Sequence, residues 1–345
     1  MTTTADPAAI VAGVRRRTAR RRGATAALAF VVVAVFFVSL MVGHTFYPPG
    51  AVLDVILGHQ VPGASFTVGR LRIPRAVLAV AAGAAFGLAG AAFQTMLRNP
   101  LASPDIIGIS AGASTAAVFA IVALSMSGLG VSVVAVVAGL AVAAIIYLLS
   151  YRGGVAGTRL ILIGIGIAAM LQSLTSYLLD RAGQWDLQEA MRWLTGSLNG
   201  ADWSSAGPAI AALAVVAPVL LARSRDLSML QLGDEAAGAL GVRVERTRLV
   251  VVIAAVGLIA FATAAAGPIA FVAFLSGPIA ARLIGPGGSP LLPAALVGSA
   301  LVLVSDLVAQ YALGTRFPVG VVTGVLGAPY LIFLLIRTNR VGGGA

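Results

Sequence analysis

Apolar runs of about 20 residues recur along the chain from residue 24 to residue 336. A helix needs about 20 mostly apolar residues to cross the hydrocarbon layer of a bilayer, because each residue adds only about 1.5 Å of rise. Of the 345 residues, 59% are hydrophobic and 10% are charged, and the mean hydropathy is +1.00. A soluble core of this size could not bury so much apolar surface. The sequence therefore predicts an all-α integral membrane protein with one multi-spanning domain.

The charges and the rare residue types exclude several other classes of protein. All 23 positive charges are arginine, in a chain of net charge +11. They lie at predicted helix ends and in loops, a pattern typical of membrane topology and not of a nucleic-acid surface. The chain has no cysteine, which excludes disulfides and thiolate metal sites, and His44 and His59 are too few for a metal centre. Because there is no lysine for a phosphate-binding P-loop, we expect no cofactor and, if ATP drives transport, an ATPase on another polypeptide.

Ten membrane-spanning helices are predicted. The longest apolar stretch, residues 247–284, would be about 57 Å long as a single helix, and Gly267-Pro268 and Gly277-Pro278 offer the breaks that divide it. The ten predicted spans are residues 24–42, 71–97, 105–126, 129–150, 159–180, 206–222, 247–267, 270–284, 291–312 and 318–337.

The arginines predict which end of each helix faces the cytoplasm. Residues 1–23 form a polar, arginine-rich segment, and the apolar run after it is longer than that of a signal peptide, so we expect a retained first helix. With the N-terminus inside, 17 arginines fall on the cytoplasmic side and six on the outer side. This asymmetry favours ten spans over nine and places both termini in the cytoplasm. The membrane domain then covers residues 24–338, followed by a tail at 339–345.

A polar turn, RNPLASPDIIGISAGAS, lies between the second and third predicted helices. Arg98 would place a cation at the negative end of the second helix. Ser103, Pro104 and Asp105 match the N-cap, N1 and N2 positions of the next helix. Since every polar residue has a capping role available, we interpret the segment as a cytoplasmic structural turn, with a substrate-binding loop as the alternative.

All three tryptophans of the chain lie within residues 184–203, together with acidic and basic side chains. Indole rings prefer the membrane interface, so this segment predicts a short amphipathic helix at the outer surface. Such a helix could roof a central cavity, or it could serve only as an interfacial anchor. Small residues dominate the second and third helices, as in GAAFGLAG at residues 83–90, and they predict close helix packing.

A segment of mixed character, residues 227–246, lies between the sixth and seventh predicted spans and cannot cross a bilayer. Its centre, Gly233 to Gly241, predicts a short helix with Asp234 and Glu235 at the positive end of the dipole and Gly241 as the C-cap. Its apolar face would consist of Leu230, Leu232, Ala236, Ala237 and Leu240. The segment fits either a helix that lies on the membrane surface or a docking helix for a soluble partner.

Several motifs resemble those of one protein family. They are Arg72-Ile-Pro-Arg75, FQTMLRNPLASPDIIGISAGAS (93–114), TRLILIGIGI (158–167), GDEAAGALGV (233–242), GPIAFVAF (267–274) and FPVGVVTGVLGAPYLIFLL (317–335). In this order and spacing they are similar to the permease subunits of binding-protein-dependent ABC importers for iron-siderophores, haem and cobalamin, over about residues 25–338.

The resemblance implies a ten-helix subunit that pairs with an identical or similar permease subunit around a central path. It further implies two cytoplasmic ATPases and an extracytoplasmic solute-binding protein as partners, in the cytoplasmic membrane of a bacterium. The substrate would be an iron(III)-siderophore, with haem or cobalamin as alternatives. No bond of the substrate would be broken by this chain, so the resemblance describes a transport subunit and not an enzyme.

The resemblance also implies roles for individual residues. A coupling helix, docked in a groove of the ATPase, would consist of Gly233, Asp234, Glu235, Ala236, Ala237, Leu240 and Gly241. Arg72 and Arg75 match the outward arginines that meet acidic residues of the binding protein. A third family arginine would fall at Gln310, so Arg316 is the candidate substitute. The residues of the gate and path would be Gly157, Thr158, Gly164, Gly166, Met170 and Gln172.

Asp306 is the only acid deep within a predicted span, about one turn from its outer end. Ionisable residues inside the membrane are functional candidates. A helix cap or a hydrogen bond inside the bundle would account for Asp306, but a proton- or sodium-coupled secondary transporter would need such a residue as its coupling site. The ion-coupled transporter is therefore the alternative to the ATP-driven importer, and a channel-like protein without energy coupling is a third class.

Overall fold

A computed structural model describes residues 7–104, 108–151, 157–285 and 287–342. Every element in these ranges is helical. In chain order they are α1 (Pro7–Met41), α2 (Pro49–Ile56), α3 (Ala64–Phe66), a π-helical stretch (Thr67–Arg72), α4 (Ile73–Leu97), α5 (Ile109–Val122), α6 (Leu129–Ser150), α7 (Gly157–Asp180), α8 (Gln184–Leu194), α9 (Trp203–Ala222), α10 (Ser224–Leu230), α11 (Asp234–Ala239), α12 (Val244–Ala266), α13 (Val272–Ile284), α14 (Leu291–Tyr311) and α15 (Val319–Gly342).

Seven helices of the described ranges are long and apolar enough to cross a membrane. They are α1, the continuous helical run Ala64–Leu97 that ends in α4, and α6, α7, α9, α12 and α14. Three shorter apolar helices, α5, α13 and most of α15, lie where the sequence predicts three further spans. At 1.5 Å per residue, α5 and α13 reach only about 20 Å. The protein is thus an integral multi-pass helical protein, while the count of ten spans and the cytoplasmic placement of both termini stay predictions.

The centre of the bundle is α4, against which α14, α12, α13 and α9 pack. Of its 25 residues, 20 are buried. A Cβ on Gly87 would overlap the carbonyl oxygen of Ala294 on α14. One on Gly90 would likewise overlap the carbonyl oxygen of Ala273 on α13. The neighbouring backbones therefore approach α4 more closely than any larger residue would permit, which confirms the close packing predicted from GAAFGLAG.

The substitution Gly87→Ala tests this packing. Because the added Cβ meets backbone atoms and not a flexible side chain, α4 and α14 must separate, and we expect the free energy of unfolding to fall by about 1–3 kcal/mol. Gly139→Ala on α6 is the matched control, because a Cβ at this position has its nearest neighbour at an ordinary contact distance of 3.5 Å. Both substitutions change helix propensity by the same amount, since both replace a helical glycine by alanine. Chemical unfolding in one detergent compares the two variants. Equal stability of the two would contradict the contact.

Pro278 lies inside α13 and is compensated by a side chain of α4. Proline has no N–H, so the carbonyl of Phe274, four residues earlier, lacks its helical partner. Gln94 replaces that partner, with Nε2 donating to the Phe274 oxygen at 3.0 Å. Gly277 leaves room for this amide, because a Cβ there would overlap Gln94 Oε1. The prediction of a chain break at Gly277-Pro278 is therefore wrong, whereas the predicted break at Gly267 is confirmed between α12 and α13.

Two helices begin earlier than the sequence predicts. α1 starts at Pro7 and not at residue 24, so the described part of the arginine-rich segment continues the first helix. Arginine is a good helix former, and the apolar run that follows extends the helix without a break. α12 starts at Val244, so the predicted coupling segment 227–246 extends into the first turn of that helix.

The helix after the polar turn begins later than predicted. α5 starts at Ile109, with Gly108 as its N-cap at φ +93°. Glycine adopts this left-handed conformation without a steric penalty, so the chain can turn into the helix there. The prediction that Ser103 is the N-cap and Pro104 the N1 residue is wrong, and Asp105 lies outside the described residues.

Candidate functional site

The two ends of α4 define two ends of the bundle. Arg72 and Arg75 lie at its N-terminal end and Arg98 lies at its C-terminal end. The 25 residues of α4 cover about 37 Å at 1.5 Å per residue. We call the end at Arg75 the docking end and the end at Arg98 the coupling end.

The short helix α11 lies at the coupling end. It follows Gly233 and ends before Gly241, and both glycines have positive φ, which a Cβ would disfavour. After the helix, the N–H of Val242 donates to the carbonyl of Ala237 at 3.0 Å, as in a Schellman C-terminus. The predicted short helix is confirmed, although its C-cap is Leu240, with Gly241 one position beyond.

Asp234 connects α11 to two other helices through arginines. Arg248 on α12 donates from Nη2 to both carboxylate oxygens, at 2.9 and 2.8 Å. Arg98, the left-handed C-cap of α4, donates to Oδ1 at 3.3 Å. The Arg248 side chain is 13% exposed and that of Asp234 is 42% exposed, so this contact is half-buried. The polar turn at Arg98 thus has a second role beyond ending α4, because it contacts the segment predicted to couple.

The apolar residues of this segment divide between a buried and an exposed side. Leu230 and Ala237 are buried and hold the segment against the bundle, whereas Leu232 is 67% and Leu240 58% exposed. The single apolar face predicted for the segment is therefore wrong in part. Two leucines of this anchored segment are therefore available for contact with another molecule. We call the exposed set the coupling surface: Leu232, Glu235, Ala236 and Leu240.

At the docking end, Arg75 is bound by polar side chains of the same chain. Its Nε and Nη2 donate to the two carboxylate oxygens of Asp306 on α14, at 2.8 and 2.7 Å. Its Nη1 donates to Asn199 Oδ1 at 2.8 Å, and Gln310 Nε2 donates to Asp306 Oδ2 at 2.7 Å. The side chains of Arg75 and Asp306 are 17% and 7% exposed. This bidentate pair is largely withdrawn from water and joins α4 to α14.

Arg72 binds the C-terminal end of α1. Its Nη1 donates to the carbonyls of Leu40 and Met41 at 2.8 and 3.0 Å, and its Nη2 donates to the carbonyl of Thr45 at 2.8 Å. The guanidinium also lies over the ring of Tyr47, 5.1 Å from the centroid. A cation is favourable here, because the last carbonyls of a helix have no partner within the helix. Docking to a binding protein stays a prediction for both RIPR arginines.

Arg316 is exposed at the same end. It contacts His44, whose ring meets that of Tyr311 edge-on with centroids 6.4 Å apart. Gln310, which stands where the family arginine would fall, is engaged with Asp306. Of the three predicted docking arginines, Arg316 is therefore the one that presents its side chain most openly to solvent.

The predicted path residues lie along α7, whose side chains are mostly exposed in the single chain. Gly166, Met170 and Gln172 are exposed, with Met170 at 74%. Gly164 is instead buried, and its carbonyl oxygen lies 3.1 Å from the position of a Cβ on Gly108. It therefore packs against the start of α5. Gly157 and Thr158 are the first residues of α7, but their side chains lie outside the described part of the chain.

Sequence reasoning did not single out Arg248 or Asn199 as partners in these contacts. Arg248 follows Asp234 by 14 residues and is one of 17 arginines that the sequence predicts to be cytoplasmic, so no pattern distinguished it. Asn199 lies within the tryptophan-rich segment 184–203, where no pattern marked it as a partner of Arg75. The usable signal was Asp306, because an acid within a span requires a cation or a hydrogen-bond donor near it.

The chain is similar to known transport proteins over most of its length. Residues 31–337 match the FecCD transport family. The ferric enterobactin transport system permease protein of Escherichia coli is 40% identical over 292 residues, which cover 84% of this chain and 88% of that protein. The achromobactin transport system permease protein of Dickeya dadantii is 38% identical over 314 residues, or 90% of each. The cobalamin import system permease protein of Halobacterium salinarum is 38% identical over 274 residues, 79% of this chain and 74% of that one.

A solved structure shares the arrangement of the helices. It is an inward-facing conformation of a metal-chelate type ABC transporter, at 26% identity and a TM-score of 0.81. The match covers 91% of this chain and 98% of that one. Most of the helical bundle therefore lies within the shared fold.

Proposed function

The chain belongs to the FecCD transport family, and we propose that it forms the translocation path for an iron(III)-siderophore in an ATP-driven importer. It is a permease subunit of the metal-chelate or siderophore type and a multi-pass membrane protein. In this proposal it lies in the cytoplasmic (inner) membrane of a bacterium. The choice of substrate is carried by the 40% identity, over 84% of this chain, to a ferric enterobactin permease.

Haem and cobalamin are the alternative substrates. The cobalamin permease of Halobacterium salinarum is 38% identical over 79% of this chain, close to the value for the enterobactin protein. The siderophore is favoured because similarity extends to permeases for chemically different iron chelates, including the achromobactin protein at 38% and an iron(3+)-hydroxamate permease of Bacillus subtilis at 36%.

The exposed face of α7 supports a path that this chain forms together with a second permease subunit. Gln172, Ser173, Ser176 and Tyr177 are exposed and fall within about 140° of the helix circumference at 3.6 residues per turn. Polar side chains that face lipid are costly, so such a face is better matched to a water-filled passage or to another protein. An identical or similar permease opposite α7 would enclose the passage.

The coupling end supports association with two cytoplasmic ATPases. In the proposed mechanism each ATPase covers the coupling surface of one permease, and closure of the ATPases on ATP displaces α11. Since Asp234 binds Arg98 on α4 and Arg248 on α12, a displacement of α11 acts directly on both of these long helices. The gate that Gly157 and Thr158 would form at the start of α7 would then open or close.

The docking end supports contact with an extracytoplasmic solute-binding protein. Arginine pairs with carboxylates in a bidentate geometry, so acidic residues of the binding protein would suit Arg72, Arg75 and Arg316. Arg316 is exposed, whereas Arg75 is paired with Asp306. Arg316 therefore carries the proposed contact most directly.

An ion-coupled secondary transporter is the second candidate, with Asp306 as its coupling residue. The bidentate pair with Arg75 and the bond from Gln310 account for Asp306 without that role. Because donors of the protein already occupy both carboxylate oxygens, the presence of Asp306 in a span needs no ion-coupling role. The ATP-driven importer is therefore the better supported function.

Uptake by cells that lack and then regain this gene tests the proposed function. We expect accumulation of a radiolabelled iron(III)-siderophore to depend on the gene, and labelled haem and cobalamin to enter equally with and without it. Uptake of cobalamin or haem alone would replace the proposed substrate by that ligand. In proteoliposomes without ATPase, transport that persists, collapses with the ion gradient and disappears in Asp306→Asn would establish the ion-coupled alternative and overturn the importer.

A further inference from the structure

A cavity of about 320 Å³ opens at the docking end between α6, α8, α9 and α12. Its volume lies within the range of pockets that hold small ligands. Three charged residues line it: Glu189 and Arg192 on α8, and Asp202 at the N-cap of α9. None of the described residues of α7 or α15 lines this cavity. It therefore lies apart from the proposed translocation path.

A second cavity, of about 280 Å³, adjoins the first. The two share Leu129 and Ser132 on α6, and the second continues down the helix past Val133 and Val137. From residue 129 to residue 137 the helix rises by about 12 Å. Val133 and Val137 are 60% and 61% exposed, so this part is open at the outer surface of the bundle. We call the two cavities together the amphipathic groove, because a charged upper part leads into an apolar lower part.

The position of the groove matches the level of lipid headgroups. Trp193 lines its charged part, and Trp203 starts α9 beside it with 54% of its surface exposed. Tryptophan concentrates at the boundary between headgroups and hydrocarbon. The apolar part then follows α6 from this boundary toward the midpoint of the helix, in the direction that an acyl chain takes in a bilayer.

The charges of the groove distinguish among headgroups. Glu189 and Arg192 form no ion pair with any described residue, and their spacing of three positions places them on one face of α8. Asp202 accepts hydrogen bonds from the Ser204 and Ser205 side chains and from the Ser205 backbone. These bonds, that of Ser204 first, lower the pKa of Asp202 and keep it ionised. Two carboxylates and one guanidinium leave the groove with one net negative charge.

We propose that the amphipathic groove binds a diacyl phospholipid whose zwitterionic headgroup carries a primary ammonium. The ammonium would lie at Glu189, the phosphate at Arg192, and one acyl chain along Val133 and Val137. Charge complementarity selects this class. An anionic headgroup without an ammonium would meet an excess of negative charge, and a trimethylated ammonium could not donate a hydrogen bond to Glu189. The site does not depend on which chelate the importer carries.

Quenching of tryptophan fluorescence by brominated lipids measures this binding. The chain has three tryptophans, so Trp185→Phe with Trp203→Phe leaves Trp193 as the only reporter. The full chain is reconstituted in vesicles that contain brominated phosphatidylethanolamine, phosphatidylcholine or phosphatidylglycerol at equal mole fractions. We expect phosphatidylethanolamine to reach half-maximal quenching at an approximately three- to fivefold lower mole fraction than the other two, the gain from one partly exposed ion pair.

Two further variants separate the headgroup contact from general lipid contact. Glu189→Gln with Arg192→Gln should abolish the preference, whereas Arg181→Gln with Asp186→Asn, at the same end but outside the groove, should retain it. Ala265→Phe, in the part that both cavities share, should reduce quenching by all three lipids. Equal quenching by the three lipids in the parent, a preference for phosphatidylglycerol, or a preference that survives the Glu189 and Arg192 changes would overturn the proposal.

Discussion

Replacing Asp306 by leucine is expected to lower the free energy of unfolding by about 3–5 kcal/mol, because Arg75 would then be left withdrawn from water without its carboxylate. Both side chains are largely buried, and two hydrogen bonds of 2.7 and 2.8 Å join them. Breaking one member of such a pair costs more than the pair itself contributes. Chemical unfolding of the purified chain in one detergent measures the loss.

A double-mutant cycle shows whether the loss belongs to the pair. Arg75→Met alone should also destabilise the chain, but Arg75→Met combined with Asp306→Leu should recover most of the stability, since neither charge is then left alone. Asp54→Leu is the matched control. Asp54 pairs with His59 near the docking end of the bundle, but both side chains are more than half exposed. The loss of stability in this variant should therefore be near zero. If the double variant lost the sum of the stabilities lost by the two single variants, Arg75 and Asp306 would not stabilise the fold as a pair.

The same cycle separates the structural role of Arg75 from docking. If Arg75 also meets the binding protein, the double variant should regain stability while its affinity for the binding protein stays low. If Arg75 serves only to join α4 to α14, the double variant should regain both. Arg316 is exposed and does not belong to this pair. The substitution Arg316→Gln should therefore weaken docking without a change in the free energy of unfolding.

The positions of the long helices could be predicted because the bilayer imposes them. An apolar run of fixed length and an excess of arginines at one end act locally along the chain, so residues 129–150 coincide with α6. The pairs that define the two ends are different. Arg98 and Asp234 are 136 residues apart, and Arg75 and Asp306 are 231 residues apart. No local pattern specifies such contacts, although an isolated acid in a span predicted that some partner exists.

The predictions for turns and short segments were less accurate, because packing there outweighs the small conformational preferences of single residues. Ser103 has the chemistry of an N-cap, yet the chain enters α5 at Gly108, where a positive φ is free of cost. Pro278 has the chemistry of a helix break, yet Gln94 supplies the donor that its ring removes. In both places a residue elsewhere in the fold, or a glycine nearby, outweighs the preference of the residue itself.

The coupling segment shows the same limit for surfaces. Apolar residues at helical spacing predicted one continuous face, but a helix of six residues is too short to direct its own packing. Leu230, on the preceding α10, and Ala237 are buried, whereas Leu232 and Leu240 point outward. What the sequence could not show is which leucines hold the segment in place and which remain for a partner.

Introducing aspartate at both Leu232 and Leu240 is expected to reduce affinity for the ATPase roughly 100-fold or more. Complete burial of a leucine side chain by a partner contributes about 1.5 kcal/mol, or roughly 10-fold in affinity for each leucine. Both leucines are more than half exposed in the single chain, so the change should leave its stability within about 0.5 kcal/mol. Co-purification with the ATPase, followed by titration in detergent, measures the affinity.

Leu57→Asp is the matched control for this effect, because Leu57 is 72% exposed and follows α2, near the docking end. It should leave ATPase binding unchanged. Asp234→Asn gives a different result if α11 transmits motion: the neutral amide weakens the contacts with Arg98 and Arg248, so binding is retained while ATP-driven transport falls. Full ATPase binding by the double aspartate variant would contradict the docking role of the coupling surface and would instead favour a helix that lies on the membrane, because aspartate would then disturb lipid contact alone.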